Sequence, residues 1–129
     1  MKYFLTTLIL ACSLFGYEFS GNHFVASYYG CNEQALIDVQ RLEEVMLEAS
    51  IASGAQVLNS ISHHFDGQGL TMAVLLSESH ASIHTYPEHR ACFVDLFTCG
   101  EHCDHEKFHH VLAEYLKPRH YSGDLFDRN

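Results

Sequence analysis

Apolar and polar positions alternate with two different periods along the chain, and the changes of period divide it into elements. "NHFVASYYG", residues 22–30, is rich in aromatic and β-branched residues and stops at a glycine, which predicts a strand. Beyond Asn32, a favoured cap, Ala35, Leu36, Val39, Leu42, Val45, Met46 and Ala49 recur at helical spacing until Gly54. That spacing predicts one helix. In "QVLNSISHHF", residues 56–65, Val57, Ile61 and Phe65 share one parity, the mark of a half-buried strand, and "DGQG" after it is a turn. "LTMAVLLS", residues 70–77, is apolar almost throughout and predicts a central strand. "ASIHTY" (81–86) and "ACFVDLFTC" (91–99) predict two more strands, separated by Pro87, Glu88 and His89. Asp104 caps a last helix that buries Phe108, Val111, Leu112, Tyr115 and Leu116 and stops at Pro118. Residues 119–129 carry no strong period and are expected to be loose.

This order predicts an α+β fold, a two-layer α/β sandwich with an antiparallel sheet of about four to five strands and two helices on one face. One sheet face is then left uncovered, which invites dimerisation.

The start of the chain has a different character. "MKYFLTTLILACSLFG" pairs a lysine with a short apolar run and small residues near Cys12, the pattern of a secretory signal. Residues 1–18 are therefore set apart from a single domain at 19–129. No apolar run is long enough to be a typical membrane span. With 7 basic residues against 16 acidic ones, the chain has no footprint for nucleic acid. Five cysteines, an odd and irregular set, read as free thiols rather than a disulfide framework.

The reactive side chains gather in "LLSESHASIHTYPEHRACFVDLFTCG", residues 75–100. Taken singly, Ser79 reads as a turn serine, His84 as a strand histidine and Cys99 as a small apolar residue. Phe65 reads equally as core or as a stacking platform. Ser79 lacks the flanking glycines of a hydrolase nucleophile elbow. His102, Cys103, His105, His109 and His110 suggest zinc, but no CxxC pair accompanies them, so they read as a polar helix face.

Taken together, "LSESHASIHTYPE" followed by "VDLFTCG" resembles the core of the prokaryotic S-adenosylmethionine decarboxylase proenzymes. "HFVASYYGCN" and "HHFDGQGLT" extend the resemblance upstream, so it covers residues 21–116 or so. The resemblance implies self-cleavage between Glu78 and Ser79, with Ser79 becoming a covalent pyruvoyl cofactor. A hydroxyl is required, because the attacking oxygen must also leave as part of an ester and create a dehydroalanine. The ketone so formed can condense with a substrate amine and draw electrons from the carbon that loses CO2. His84 would be the processing base and Cys99 the proton donor in turnover, a role that suits a thiol. Phe65 would stack on adenine and Glu88 would hold the ribose hydroxyls. Thr71 stands where the family pattern has serine and keeps the hydroxyl that supports processing. A strained turn near Ser79 would favour the shift.

The resemblance further implies S-adenosylmethionine as substrate, an aminopropyl donor for spermidine synthesis as product, and a homodimer of cleaved protomers. It implies no metal. A pyruvoyl decarboxylase of arginine or ornithine, or a relative that binds without processing, are the other readings. The substrate argues for the cytoplasm, against the signal-like start, and the cytoplasm is the expectation.

Overall fold

The computed structural model describes residues 20–99 and 102–129, so the signal-like segment and Cys12 lie outside the described residues. Six strands form one antiparallel sheet: β1 (Gly21–Tyr29), β2 (Val57–His64), β3 (Leu70–Leu76), β4 (Ser79–Tyr86), β5 (Ala91–Cys99) and β6 (His120–Arg128). Their order across the sheet is β2-β3-β4-β5-β1-β6. Three helices, α1 (Glu33–Ile37), α2 (Val39–Ala52) and α3 (His105–Leu116), accompany it. The predicted two-layer sandwich is the observed architecture, with one strand and one helix more than expected.

The core lies between the sheet and the helices. Phe24, Tyr28, Leu70, Met72, Val74, Ile83, Val94 and Leu96 point from alternate strand positions toward Leu36, Leu42, Met46, Phe108, Leu112 and Leu116. Truncating a fully buried leucine here, such as Leu42 or Leu112, costs about 2–5 kcal/mol in lost transfer energy and cavity formation. Cys31 and Cys92 are buried in this core, and all four described cysteines are free thiols.

Three local readings are corrected. The single helix is broken at Asp38, whose carboxylate accepts the Arg41 N–H at 3.2 Å while its backbone leaves the helical region (φ −78°, ψ 72°). A short acid that bonds its own backbone competes with the helical ladder, and Asp38 thereby closes α1 and opens α2. Second, β2 is an exposed edge strand rather than a half-buried one. Ser60 and Ser62 stand opposite Val74 and Met72 and take the helix side, while Ile61, opposite Ala73, points to the uncovered side. Third, residues 119–129 are not loose. β6 pairs with β1 from His120 to Arg128, and Tyr121 stacks on Tyr28 and His109 with ring centroids 5.9 and 4.2 Å away. Gly123 and two aspartates weaken its strand signal. The glycine lets the strand lie close to the core, since a Cβ there would sit 3.2 Å from the Phe24 ring.

The face opposite the helices is open. It exposes Ile61, Leu75, Phe93 and Phe126, together with the alternate positions of every central strand. A sheet with an apolar uncovered face is a surface for association. Among the described residues no helix is long and apolar enough to cross a membrane.

Candidate active site

β3 and β4 form a hairpin in which Leu76 faces Ser79 across a two-residue loop, Ser77-Glu78. Ser79 has φ +151°, a conformation that residues other than glycine rarely adopt. Such a residue stores on the order of 1–3 kcal/mol, held in place by its surroundings. The strain expected near the cleavage bond therefore falls on Ser79 itself.

Four contacts hold the Glu78–Ser79 peptide. The Glu78 carbonyl oxygen accepts the Cys99 backbone N–H at 2.9 Å. The Glu78 carboxylate accepts the Gln56 N–H at 3.0 Å and pairs with His102 Nε2 at 3.2 Å. Ser79 Oγ lies 3.5 Å from Cys99 Sγ. Burial pushes the Glu78 carboxyl up, but the bonds from Gln56 and His102 outweigh it and hold the group below its ordinary range. Neighbouring Cys103 is pushed up by burial and by the Glu78 charge, which keeps it a thiol.

The other expected residues gather elsewhere. Phe65, Thr71, His84, Tyr86 and Glu88 line one cavity of about 470 Å³ at the far end of the sheet. Thr71 and His84 are cross-strand partners, and Thr71 Oγ1 lies 3.1 Å from His84 Nδ1. The cavity is within the usual range for small-molecule sites, roughly 300–1,000 Å³. Phe65 is 53 % exposed and so is a platform beside the cavity rather than core. The hairpin that carries it is closed by Phe65 and Gly69, with the Phe65 N–H donating to the Gly69 carbonyl at 2.9 Å.

The candidate site is thus in two parts. Five residue steps along β4 separate Ser79 from His84, about 17 Å at strand rise. The sheet does not bring His84 to Ser79 within one chain, so the expectation of a base close to the nucleophile fails for a single protomer. Thr71, His84 and Cys99 nevertheless occupy strand positions on the same open face.

Several groups in this arrangement leave little trace in the sequence. The Cys99 and Gln56 N–H groups are backbone, invisible to residue type. His102 reads in the sequence as part of a helix face, yet it pairs with the cleavage-site carboxylate. Arg128 on β6 shares a cleft of about 160 Å³ with Cys99, its guanidinium 4.4 Å above the Phe97 ring. A residue in a segment expected to be loose gives no signal of that proximity.

A strained serine beside a thiol, with its preceding carbonyl hydrogen-bonded, and a cavity at the other end of the same sheet are the two parts of the site in this small α+β protein. The family model described as S-adenosylmethionine decarboxylase matches residues 22–129. A relative from Caldanaerobacter subterraneus subsp. tengcongensis, named S-adenosylmethionine decarboxylase proenzyme, is 42 % identical over 97 residues, 75 % of this chain and 78 % of that one. The protein of the same name from Thermotoga maritima is 41 % identical over 99 residues, covering 77 % and 76 %. The crystal structure of the adenosylmethionine decarboxylase from Aquifex aeolicus superposes with a TM-score of 0.78 at 29 % identity, covering 84 % of this chain and 90 % of that one. This chain belongs to the S-adenosylmethionine decarboxylase family.

Proposed function

We propose that this chain is a proenzyme that cleaves itself at Glu78–Ser79 and then decarboxylates S-adenosylmethionine, through sites that two copies share. The observation that carries the reading is the hydrogen bond from the Cys99 N–H to the Glu78 carbonyl oxygen. In cleavage, Ser79 Oγ attacks the Glu78 carbonyl carbon, and the developing oxyanion keeps that N–H as its donor. The C–N bond breaks, leaving an ester and a free Ser79 amine. A base removes the Ser79 α-proton, the main-chain α-carboxylate of Glu78 departs from the Ser79 Cβ, and dehydroalanine remains. Water then displaces ammonia, leaving a pyruvoyl group at the head of residues 79–129. Strain at Ser79 favours the shift because it is released when the peptide opens.

The residues around Ser79 suit that group. It supplies an electrophilic carbonyl that accepts electron density as CO2 leaves. Cys99, 3.5 Å from the precursor oxygen, is positioned to return a proton to the substrate α-carbon. Arg128 beside Cys99 suits the substrate carboxylate, since a guanidinium binds such a group in a planar fork. Phe65 offers a face for adenine, and Glu88 an acceptor for ribose hydroxyls.

These two sets of groups are too far apart to serve one substrate in one chain. Two copies packed by their open sheet faces, running in opposite directions, would set the Phe65–His84–Glu88 cavity of each against the Ser79–Cys99 end of the other. The same packing would cover Ile61, Leu75 and Phe93. His84 of a second copy would then be the processing base. A nucleoside-sized cavity favours S-adenosylmethionine over a plain basic amino acid. Intact mass spectrometry of the purified protein tests the reading. Two fragments split at Glu78–Ser79, the C-terminal one carrying pyruvoyl in place of serine, are expected. A single uncleaved chain that turns over S-adenosylmethionine would overturn it.

A further inference from the structure

We propose that His23, His80 and Asp95 form a zinc site on the open face of the sheet, beside the Ser79–Cys99 end and without a part in the cleavage step. The three residues come from β1, β4 and β5. His23 and His80 both stand opposite Phe97, one from each neighbouring strand, and lean over Asp95 two residues along. His23 Nε2 is 2.7 Å from Asp95 Oδ2, and His80 Nε2 is 3.3 Å from the same oxygen. All three ligand atoms lie within 4.8 Å of one another.

The carboxylate is held for that purpose. Ser82 Oγ–H donates to Asp95 Oδ1, which leaves Oδ2 turned toward both imidazoles. An outer hydroxyl that fixes a ligating carboxylate is a common support for metal sites.

The donor set selects the metal. Two imidazoles and a carboxylate suit zinc, whereas magnesium and calcium prefer oxygen ligands alone. Zinc binds such atoms at about 2.0–2.2 Å in a tetrahedron, so they must stand roughly 3.4 Å apart. The two nitrogen–oxygen separations need adjustments of less than about an ångström, within reach of side-chain rotation. Three protein ligands leave a fourth position for water or for a group from whatever covers this face. A second cluster, Glu78, His102 and Cys103, also converges. It belongs to the cleavage hairpin, and burial keeps its thiol protonated.

The test is zinc retention. Full-length protein is stripped with a chelator, equilibrated with micromolar zinc, gel-filtered and analysed by atomic emission. One zinc per protomer is expected in the parent and in His102→Ala, and none in His80→Ala or His23→Gln. His80 is about half exposed, so its replacement leaves the core intact. Circular dichroism confirms the fold of each variant. Ser82→Ala should weaken binding roughly 10- to 100-fold. Retention of no zinc by the parent, retention by the His23/His80 double variant, or loss confined to His102→Ala would each overturn the proposal. The same measurement on Ser79→Ala protein separates it from cleavage, because zinc should bind there equally.

Discussion

Cys99 touches the Glu78–Ser79 peptide twice: its N–H donates to the Glu78 carbonyl oxygen at 2.9 Å, and its thiol sits 3.5 Å from Ser79 Oγ. In the proposed reaction the backbone group serves the cleavage and the side chain serves the turnover. Cys99→Ala removes only the second. The variant should still cleave, because its N–H remains, but kcat should fall by about 10²–10⁴, the usual worth of a positioned proton donor. Intact mass for cleavage and CO2 release for turnover check the two halves separately.

Ser79→Ala should leave one intact chain, since no hydroxyl remains to attack. Ser79→Gly should do the same but unfold at a higher temperature than Ser79→Ala, because glycine tolerates φ +151° and alanine does not. Calorimetry on the two uncleaved proteins reads the strain directly. Equal midpoints would show that Ser79 is not strained.

The Glu78 clamp predicts an acid limb for cleavage. The carboxyl is held below its ordinary value of 4.5 in the folded chain. The stabilisation is therefore complete above that ordinary value and is lost as pH falls through the lower folded value. Cleavage of the freshly refolded chain should slow below about pH 4.5. His102→Ala should slow it at neutral pH by a few-fold, and Glu78→Gln should flatten the acid limb. Rates from a timed series of mass spectra check all three.

Much of this architecture is legible in the sequence because the burial period is strict. β5 runs over the predicted residues 91–99, and Asp104 and Pro118 bound α3 as their chemistry requires. What stays hidden is non-local. The break at Asp38 depends on a side chain capping its own backbone. The strand status of 119–129 depends on β1 offering an unpaired edge, which no local period reveals. The parity of Ile61 is visible, but not the side to which it points, since that is decided by where the helices lie. The motif around Ser79, His84 and Cys99 is legible as a group. Its separation along β4 by about 17 Å follows only from strand geometry.

If the open faces pair, Leu75→Lys should separate the copies. Leu75 is 53 % exposed on the uncovered face, so the change costs the single chain little. A lysine repeated across a two-fold interface places like charges in an apolar contact. Light scattering should show a dimer for the parent and a monomer for the variant, and the monomer should lose activity as well. An active monomer would contradict the shared site.

The most direct test of that shared site is complementation between two damaged copies. Cys99→Ala impairs the Ser79 end, and a Phe65→Ala/Glu88→Ala variant impairs the cavity. Each homodimer should turn over poorly. A heterodimer of the two, purified through different tags, contains one undamaged site and one doubly damaged site. It should regain about half of the parent's activity, since a two-fold dimer has two equivalent sites. Activity no higher than that of the two homodimers would mean that each chain builds its own site, and would contradict a site shared between protomers.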